Sequence, residues 1–574
     1  MATTDAPARG RPASTSVVPR RVLAGAVLVV GAIVAIVRWR ISHHLTVYAL
    51  IPDEAAQLAM ARTLAGDRWS MLDYSTFRPG FSVLISPIWW FTDDPVTGLR
   101  WVWAVNAVLG GLTAGLYVIA ARRLTNLGIV GASLAALAVA LAPALLFTSR
   151  FAWAEALVQP VVVAFVLAVV AFGRRPGVRR GMTAVVLAAA GFTVHSRLLP
   201  LALVALGLTA YLVMRRELTR RDGAIIGAVG FAALVVSEAL ARWVVHVVWT
   251  DPYTTNSFGG AIGQWRQVGS MFATALGHVW YQLVATCGLV ALGAWALLRP
   301  GPGDRASRRD GVLVTVSVVL LMLLSVAFLA GRARPDRIVY GRYTDPAAAL
   351  LVMAGLGAVM RHRRSSVRRL AVIGAGTVGV TLALVGLRGD ELRATGVLRA
   401  MVLGLQPVMG LGRVIPITRL TVVAVTGMVV WALAASLPRA ARATLLVVAV
   451  AGSLFVADRR VHDMLDRGAN ARMDASDVTG LVAGATPILP AGAALRSRVV
   501  ETGVEVGREG QRQRVQLYQY FLPGHRVDLD GEEPGPTPYV IAPTDDPLLG
   551  SDPDAQLLWA EPGTPIGLWL VPVG

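Results

Sequence analysis

The sequence predicts an α-helical polytopic membrane protein that ends in a soluble domain of mixed α/β or mostly β structure. Three observations carry this. Apolar runs of bilayer-spanning length recur along most of the 574 residues, and one such crossing needs about 20 mainly apolar residues. Arginines cluster in every second loop between those runs, as the positive-inside bias requires. From about residue 459 the composition turns polar and rich in Pro, Gly and Asp.

The overall numbers agree. Mean hydropathy is +0.59 with 55% hydrophobic and only 16% charged residues, against about 25% charge in a soluble chain. The net charge of +19 would suit nucleic acid, but its arginines sit in short clusters between apolar runs. That is how cytoplasmic loops face anionic lipid, so nucleic acid is not expected as a partner. Every one of the 54 Lys+Arg residues is arginine, the mark of a GC-rich genome rather than of chemistry. The single cysteine, Cys287, excludes a disulfide or cysteine metal site within one chain.

Taken in order, residues 1–20 are Ala/Pro/Arg-rich and read as a disordered cytoplasmic tail. Spans fall near 22–38, 100–120, 127–147, 153–172, 181–195, 198–213, 223–248, 279–298, 312–331, 345–360, 370–387, 419–437 and 443–457, about thirteen in all. The first reads as an uncleaved anchor, because no small-residue cleavage site follows it. With the N-terminus inside, the inner loops hold Arg122-Arg123, Arg174-Arg175 with Arg179-Arg180, Arg215-Arg216 with Arg220-Arg221, and the later clusters up to Arg439 and Arg442. The membrane domain, 21–458, therefore sits in the plasma (inner) membrane, and the 459–574 domain lies outside. Strand-like runs in it are Val515 to Leu522, Tyr539 to Ala542 and Gly567 to Val571.

The outer loop 39–99 is too patterned to be disordered. It carries Ile51-Pro52-Asp53-Glu54, an amphipathic run from Ala55 to Gly66, then Tyr74, Arg78-Pro79-Gly80 and an apolar run Phe81 to Phe91 with Trp89 and Trp90. Apolar helices with Trp at that level read as lying in the interface.

Few side chains stand out as candidates for chemistry. Asp53 and Glu54 are acids in an acid-poor chain. From spacing alone, helix capping and catalysis are equally supported. Glu155, in the stretch Ser149 to Glu155 (SRFAWAE), lies a turn into apolar sequence, where an ionisable group is costly and by default functional; the alternative is a staple to Arg150. His195-Ser196-Arg197 joins two spans too short to leave a loop. A lone His there is more often structural, whereas the fork of Arg197 suits phosphate oxygens. Arg332, Arg334, Arg337 and Arg342 break the charge rule on the translocated side. An anionic ligand explains them; pairing with lipid or with Asp336 and Asp345 is the other reading. Tyr340-Gly341-Arg342-Tyr343 abuts the next span, which places Arg342 at headgroup level. Glu238, Arg242 and His246 share a face of the seventh span and read as structural.

Together, Asp53-Glu54 with its AAQLAMARTLAG helix, Arg78-Pro79-Gly80-Phe81, SRFAWAE, His195-Ser196-Arg197 and Gly341-Arg342-Tyr343 resemble the polytopic GT-C glycosyltransferases that use polyprenyl-phosphate sugars, of the mannosyltransferase or aminoarabinose-transferase kind. The resemblance covers roughly residues 20–360. It implies a GT-C-like helical bundle with a cavity under the first outer loop and an extracytoplasmic C-terminal domain. It also implies transfer of a sugar from a polyprenyl-phosphate lipid to a cell-envelope glycan, lipid or protein acceptor. Asp53 maps to the base, with Glu54 and Glu155 as further catalytic acids; Glu155 stands where relatives carry Asp. Arg78, Arg197, Arg342 and Tyr343 map to the donor phosphate, and Tyr74, Arg150, His195 and Tyr340 to the substrate cavity. A divalent cation, Mg or Mn, between Asp53 and Glu155 would fit this chemistry, but no ligand cluster compels one.

The chemistry suits single displacement with inversion. An acceptor hydroxyl needs one carboxylate within reach, and the leaving phosphate needs cations rather than an acid. This differs from the paired acid and base of glycoside hydrolysis. The competing expectation is a transporter or flippase of lipid-linked saccharides. It predicts repeats and broken helices, and neither is visible in the sequence. A ligase or polymerase of O-antigen type would concentrate its residues in a late outer loop.

Overall fold

The computed structural model describes residues 19–45, 53–66, 78–248, 268–301, 306–330, 336–361, 363–394, 396–397, 401–409, 414–461, 484, 487–490, 493–497, 519–522, 526–529, 538–544, 546–560 and 566–571. The first half contains α1 (Arg20–Ser42), α2 (Asp53–Ala65), α3 (Gly80–Ile85), α4 (Pro95–Leu124), α5 (Ile129–Ala140), α6 (Pro143–Leu146), α7 (Glu155–Arg174), α8 (Val178–Val194), α9 (Leu199–Met214) and α10 (Arg220–Val248). The second half contains α11 (Val268–Ala285), α12 (Leu289–Leu298), α13 (Arg308–Leu329), α14 (Asp345–Arg361), α15 (Arg363–Ala394), α16 (Gln406–Met409), α17 (Ile417–Ser436) and α18 (Arg439–Val461).

Each apolar run predicted from sequence falls on one of these helices or on a bent pair. Among the described residues eight helices are long and apolar enough to cross a membrane, or ten with each bent pair taken as one span. The count differs from the expected thirteen because α8 and α14 have 17 residues each and the described apolar stretch of α18 is Ala440–Gly452.

Two spans are broken, which the sequence reading did not anticipate. α5 turns by 65° into Pro143–Arg150, and α11 turns by 98° into α12. Pro143 cannot continue the ladder of α5, so a new turn begins there. At the second break Cys287 and Gly288 take positive φ, 45° and 73°, a conformation Gly adopts without steric cost.

Small residues let the helices close. A Cβ on Gly111 of α4 would lie 2.6 Å from Gly31 O of α1, and one on Gly293 of α12 would lie 1.8 Å from Leu351 O of α14. In a bilayer, where apolar burial gives no advantage over lipid, such backbone approach is what holds spans together.

Two further expectations shift. α2 is not amphipathic in its surroundings: every residue from Glu54 to Arg62 is buried. It is enclosed by α3, the 3₁₀ turn Ser86–Trp90 and α10, and by Tyr520 of the C-terminal part. The apolar run after it becomes α3 and that 3₁₀ turn, the change following Pro87. Val83, Leu84, Trp90 and Phe91 stay exposed, as an interfacial segment requires.

The C-terminal part forms a five-stranded sheet of order β2-β1-β3-β5-β4, with β1 (Ala494–Ser497), β2 (Arg526–Leu529), β3 (Tyr539–Pro543), β4 (Gln556–Ala560) and β5 (Ile566–Leu570). β1 lies parallel to β2 and β3, and β5 runs antiparallel to β3 and β4. β3 and β5 fall on predicted strand runs. The predicted strand Val515 to Leu522 does not hold where it is described, since Gln519 to Phe521 are helical.

Candidate active site

Two helix N-termini and one turn build the site. Asp53 opens α2 and Glu155 opens α7, where the partial positive charge of unpaired N–H groups favours a carboxylate. Arg342 lies in the turn that feeds α14. That turn is fastened by Gly341 N and Arg342 N donating to Met401 O at 2.8 and 3.3 Å. Beneath it, Tyr281 donates to Asp345 Oδ2 at 2.8 Å, and Gln282 donates to Asp345 Oδ1 at 2.9 Å and Thr344 Oγ1 at 2.7 Å. A Cβ on Gly341 would sit 2.0 Å from the Tyr281 ring, so only glycine lets the turn lie this close.

Arg342 joins the two acids. Its Nε donates to Glu155 Oε1 at 2.5 Å and its Nη1 to Asp53 Oδ2, while its guanidinium sits 3.9 Å from the Trp153 ring centroid. Burial disfavours the charge on Arg342, but Glu155 and Asp53 outweigh it and hold its pKa well above the ordinary value. Exposure separates the acids: the Asp53 side chain is 20% exposed and that of Glu155 only 2%. Glu54 is buried and structural in its contact, accepting the Ala152 backbone N–H at 2.6 Å. It ties α2 to the segment that carries Trp153 and Glu155.

A cationic and aromatic wall flanks this cluster. Tyr340 and Tyr343 stack at 4.5 Å, and the Arg197 guanidinium is 3.1 Å from the Tyr343 ring centroid. His195 meets the edge of Tyr343 at 5.5 Å. Its Nδ1 accepts from Arg197 N at 3.2 Å, which assigns the proton of the neutral ring to Nε2. Burial first, then the charges of Arg197, Arg342 and Arg78, holds the His195 pKa well below 6.5. His195 is thus neutral and polar rather than a cation for phosphate.

The remaining expected residues fall as follows. Arg78 is engaged by Glu238 at 2.7 Å and lies 3.9 Å over Phe192. It makes a triad with Arg242, which pairs with Glu238 at 3.0 Å. Arg150 is buried at the end of the 3₁₀ turn Phe147–Arg150, and Glu155 pairs with Arg342. Arg337 pairs with Glu391 at 2.6 Å. Tyr74, Arg332 and Arg334 lie outside the described residues. Trp153 was missed as a site residue, although its place inside SRFAWAE was the available signal.

The two acids expected to share a divalent cation, Asp53 and Glu155, are joined in the structure by Arg342. Such an ion takes about six oxygen ligands, and among the described residues no group of three or more His, Cys, Asp or Glu is placed to hold a metal. Glu155 Oε1 and Asp53 Oδ2 are both taken up by the Arg342 guanidinium, which leaves Glu155 Oε2 and Asp53 Oδ1 as the oxygens not bonded to it.

No family model and no curated protein matches the chain. Solved structures do. A crystal structure of ArnT from Cupriavidus metallidurans bound to undecaprenyl phosphate aligns at 17% identity and TM-score 0.55, covering 94% of this chain and 97% of that one. The apo state of the same protein aligns at 16% and 0.51, over 95% and 98%. Arabinosyltransferase EmbB from Mycobacterium smegmatis is matched at 15% and 0.40, over 81% of this chain and 43% of that one. At these identities the likeness to ArnT speaks to architecture. The chain is an α-helical polytopic membrane protein with the fold of ArnT.

Proposed function

We propose that the protein is an integral-membrane glycosyltransferase that moves a sugar from a polyprenyl-phosphate donor to an acceptor on the extracytoplasmic side, with inversion. The observation that carries this reading is the Asp53–Arg342–Glu155 cluster, in which one acid is open to an approaching group and the other is buried. The likeness to ArnT, whose structure holds undecaprenyl phosphate, supports a lipid-phosphate donor.

Arg342 takes up Asp53 Oδ2, and Oδ1 is the atom we assign to the acceptor proton. As that proton leaves, the hydroxyl oxygen attacks the anomeric carbon and the bond from that carbon to the phosphate oxygen breaks. Charge then builds on the departing lipid phosphate. Arg342 and Arg197, held by aromatic rings and shielded from water, are preorganised for it. Glu155 keeps Arg342 in place and the neutral His195 contributes a polar edge. Arg78, paired with Glu238, is assigned to the wall of the cavity rather than to the phosphate.

The test is turnover in nanodiscs with a radiolabelled polyprenyl-phosphate pentose or hexose and an envelope-glycan fragment. Asp53→Asn is expected to lower kcat by about 10²–10⁴, the span of general-base catalysis, while lipid binding persists. Full turnover by Asp53→Asn would sink the assignment. A second reading, a transporter of lipid-linked saccharides, draws on the two broken spans, since such breaks line transport sites. Movement of intact labelled lipid across proteoliposomes with no sugar transfer would favour it.

A further inference from the structure

We propose that Arg38 is a positioning residue, which sets the place of Trp153 and Glu155 by gripping the break in the third span. The inference rests on the proposed transfer reaction for its kinetic arm only.

Arg38 is a cation with no acid among its hydrogen-bond partners in the described residues, completely buried in α1 near its C-terminal end. Among the described residues its Nε and Nη1 have no hydrogen-bond partner. A charge in that setting is costly and marks a function by default. What it does hold is specific. Nη2 donates to Leu145 O at 2.9 Å and to Gln159 Oε1 at 3.0 Å, with Ala140 O at 3.5 Å. Ala140 is the last residue of α5, and Leu145 belongs to α6. These carbonyls lie where the ladder is interrupted and carry partial negative charge; Leu145 O accepts from Thr148 Oγ1 at 2.5 Å as well as from Arg38.

From there the contacts run to the active site. Gln159 Nε2 donates to Thr148 Oγ1 at 2.5 Å, and Thr148 O accepts from the Trp153 indole at 3.2 Å. Trp153 supports the Arg342 guanidinium, and Glu155 two residues on bonds it. α4 makes room for the grip: a Cβ on Gly110 would fall 2.2 Å from Arg38 Cδ. The cation is therefore seated by a glycine and spent on a bend, and the bend ends in the residues that hold Arg342. Phe147–Arg150 and the loop to Glu155 have a second support from Asn106, which donates to Phe151 O at 3.0 Å, so the helix bundle does not depend on Arg38 alone.

The experiment compares wild-type, Arg38→Met, Arg38→Lys and Gln159→Leu full-length protein in nanodiscs by hydrogen–deuterium exchange and by donor turnover. Arg38→Met and Gln159→Leu are each expected to speed exchange of the amides in 145–155 about tenfold, a 1.4 kcal/mol local opening, while α4 and α8 keep their wild-type rates. Turnover should fall about 100-fold in kcat, the scale of a 1 Å misplacement, with donor KM little changed. Arg38→Lys should restore protection at Leu145 and part of kcat. Wild-type exchange across 145–155 in both variants, or a uniform rise over the whole chain, overturns the proposal. Should Arg38→Met not fold, Gln159→Leu carries the test, since it keeps the cation and its bond to Leu145 O while removing the Gln159 link between Arg38 and Thr148. If the wild-type protein transfers no sugar, the proposed function fails while the exchange arm still decides Arg38.

Discussion

Arg342 donates its Nε–H to Glu155 Oε1 at 2.5 Å, inside a side-chain environment that leaves Glu155 2% exposed. Removing one member of a buried pair leaves the other charge uncompensated, which costs about 3–5 kcal/mol. Arg342→Met should therefore lower the thermal midpoint sharply in nanodiscs. Arg342→Met with Glu155→Gln should recover most of the loss without recovering the proposed sugar transfer. Equal midpoints for the single and double variants would show that the pair is not coupled.

Gly341→Ala should damage the site without touching a charge. The added Cβ would meet the Tyr281 ring at 2.0 Å, and Tyr281 is itself tied to Asp345 and to Gly404 N. Overpacking of this kind costs about 1–3 kcal/mol. The turn carrying Arg342 must shift, so turnover should fall well beyond what the modest change in melting temperature implies. A variant with wild-type kcat would show that the turn has slack.

Tyr520 fastens the C-terminal part to the first loop. Arg62 Nη1 donates to Tyr520 O at 3.2 Å, the guanidinium is 5.7 Å from its ring centroid, and the phenol donates to Pro95 O at 2.8 Å. Tyr520→Phe removes one hydrogen bond and should cost about 1 kcal/mol. Tyr520→Ala opens a cavity costing about 3–5 kcal/mol, and limited proteolysis should then cut near it. Unchanged cleavage in Tyr520→Ala would mean that other contacts hold the junction.

His195 gives the protein a pH dependence of known sign. Its folded pKa lies well below 6.5, through burial and then the charges of Arg197, Arg342 and Arg78. Below about pH 6.5 the unfolded chain binds a proton that the native state refuses, so stability falls as pH falls. Between pH 7.5 and 5.5 the melting temperature of His195→Asn should drop less than that of wild type. An equal or steeper drop would contradict the assignment.

The helices were legible because a bilayer-length apolar run has few alternative uses, and the arginine clusters numbered the loops. Asp53, Glu155 and Arg342 stood out for the related reason that ionised groups beside apolar sequence are conspicuous. Their mutual contact was not legible, since residues so far apart in the chain meet only through packing. The same holds for Arg78, which Glu238 captures from another helix, and for Arg38, which the sequence reading left inside an ordinary span. The break after Ala140 had a local sign in Pro143, and the break at Cys287 had one in Gly288, but neither fixes an angle. At Gln519–Phe521 a strand-like pattern gave way to a helical turn because Tyr520 packs against Arg62. Tertiary contact outweighs β-propensity over so short a stretch.

The clamp between Arg62 and Tyr520 also sets a time at which the site can be completed. Ribosomes deliver residue 62 early and residue 520 near the end of synthesis, so the helix that begins at Asp53 gains this contact only late in translation. A product that stops before residue 520 would keep the packing of that helix on α3 and α10 but lose the contact that ties it to the C-terminal part.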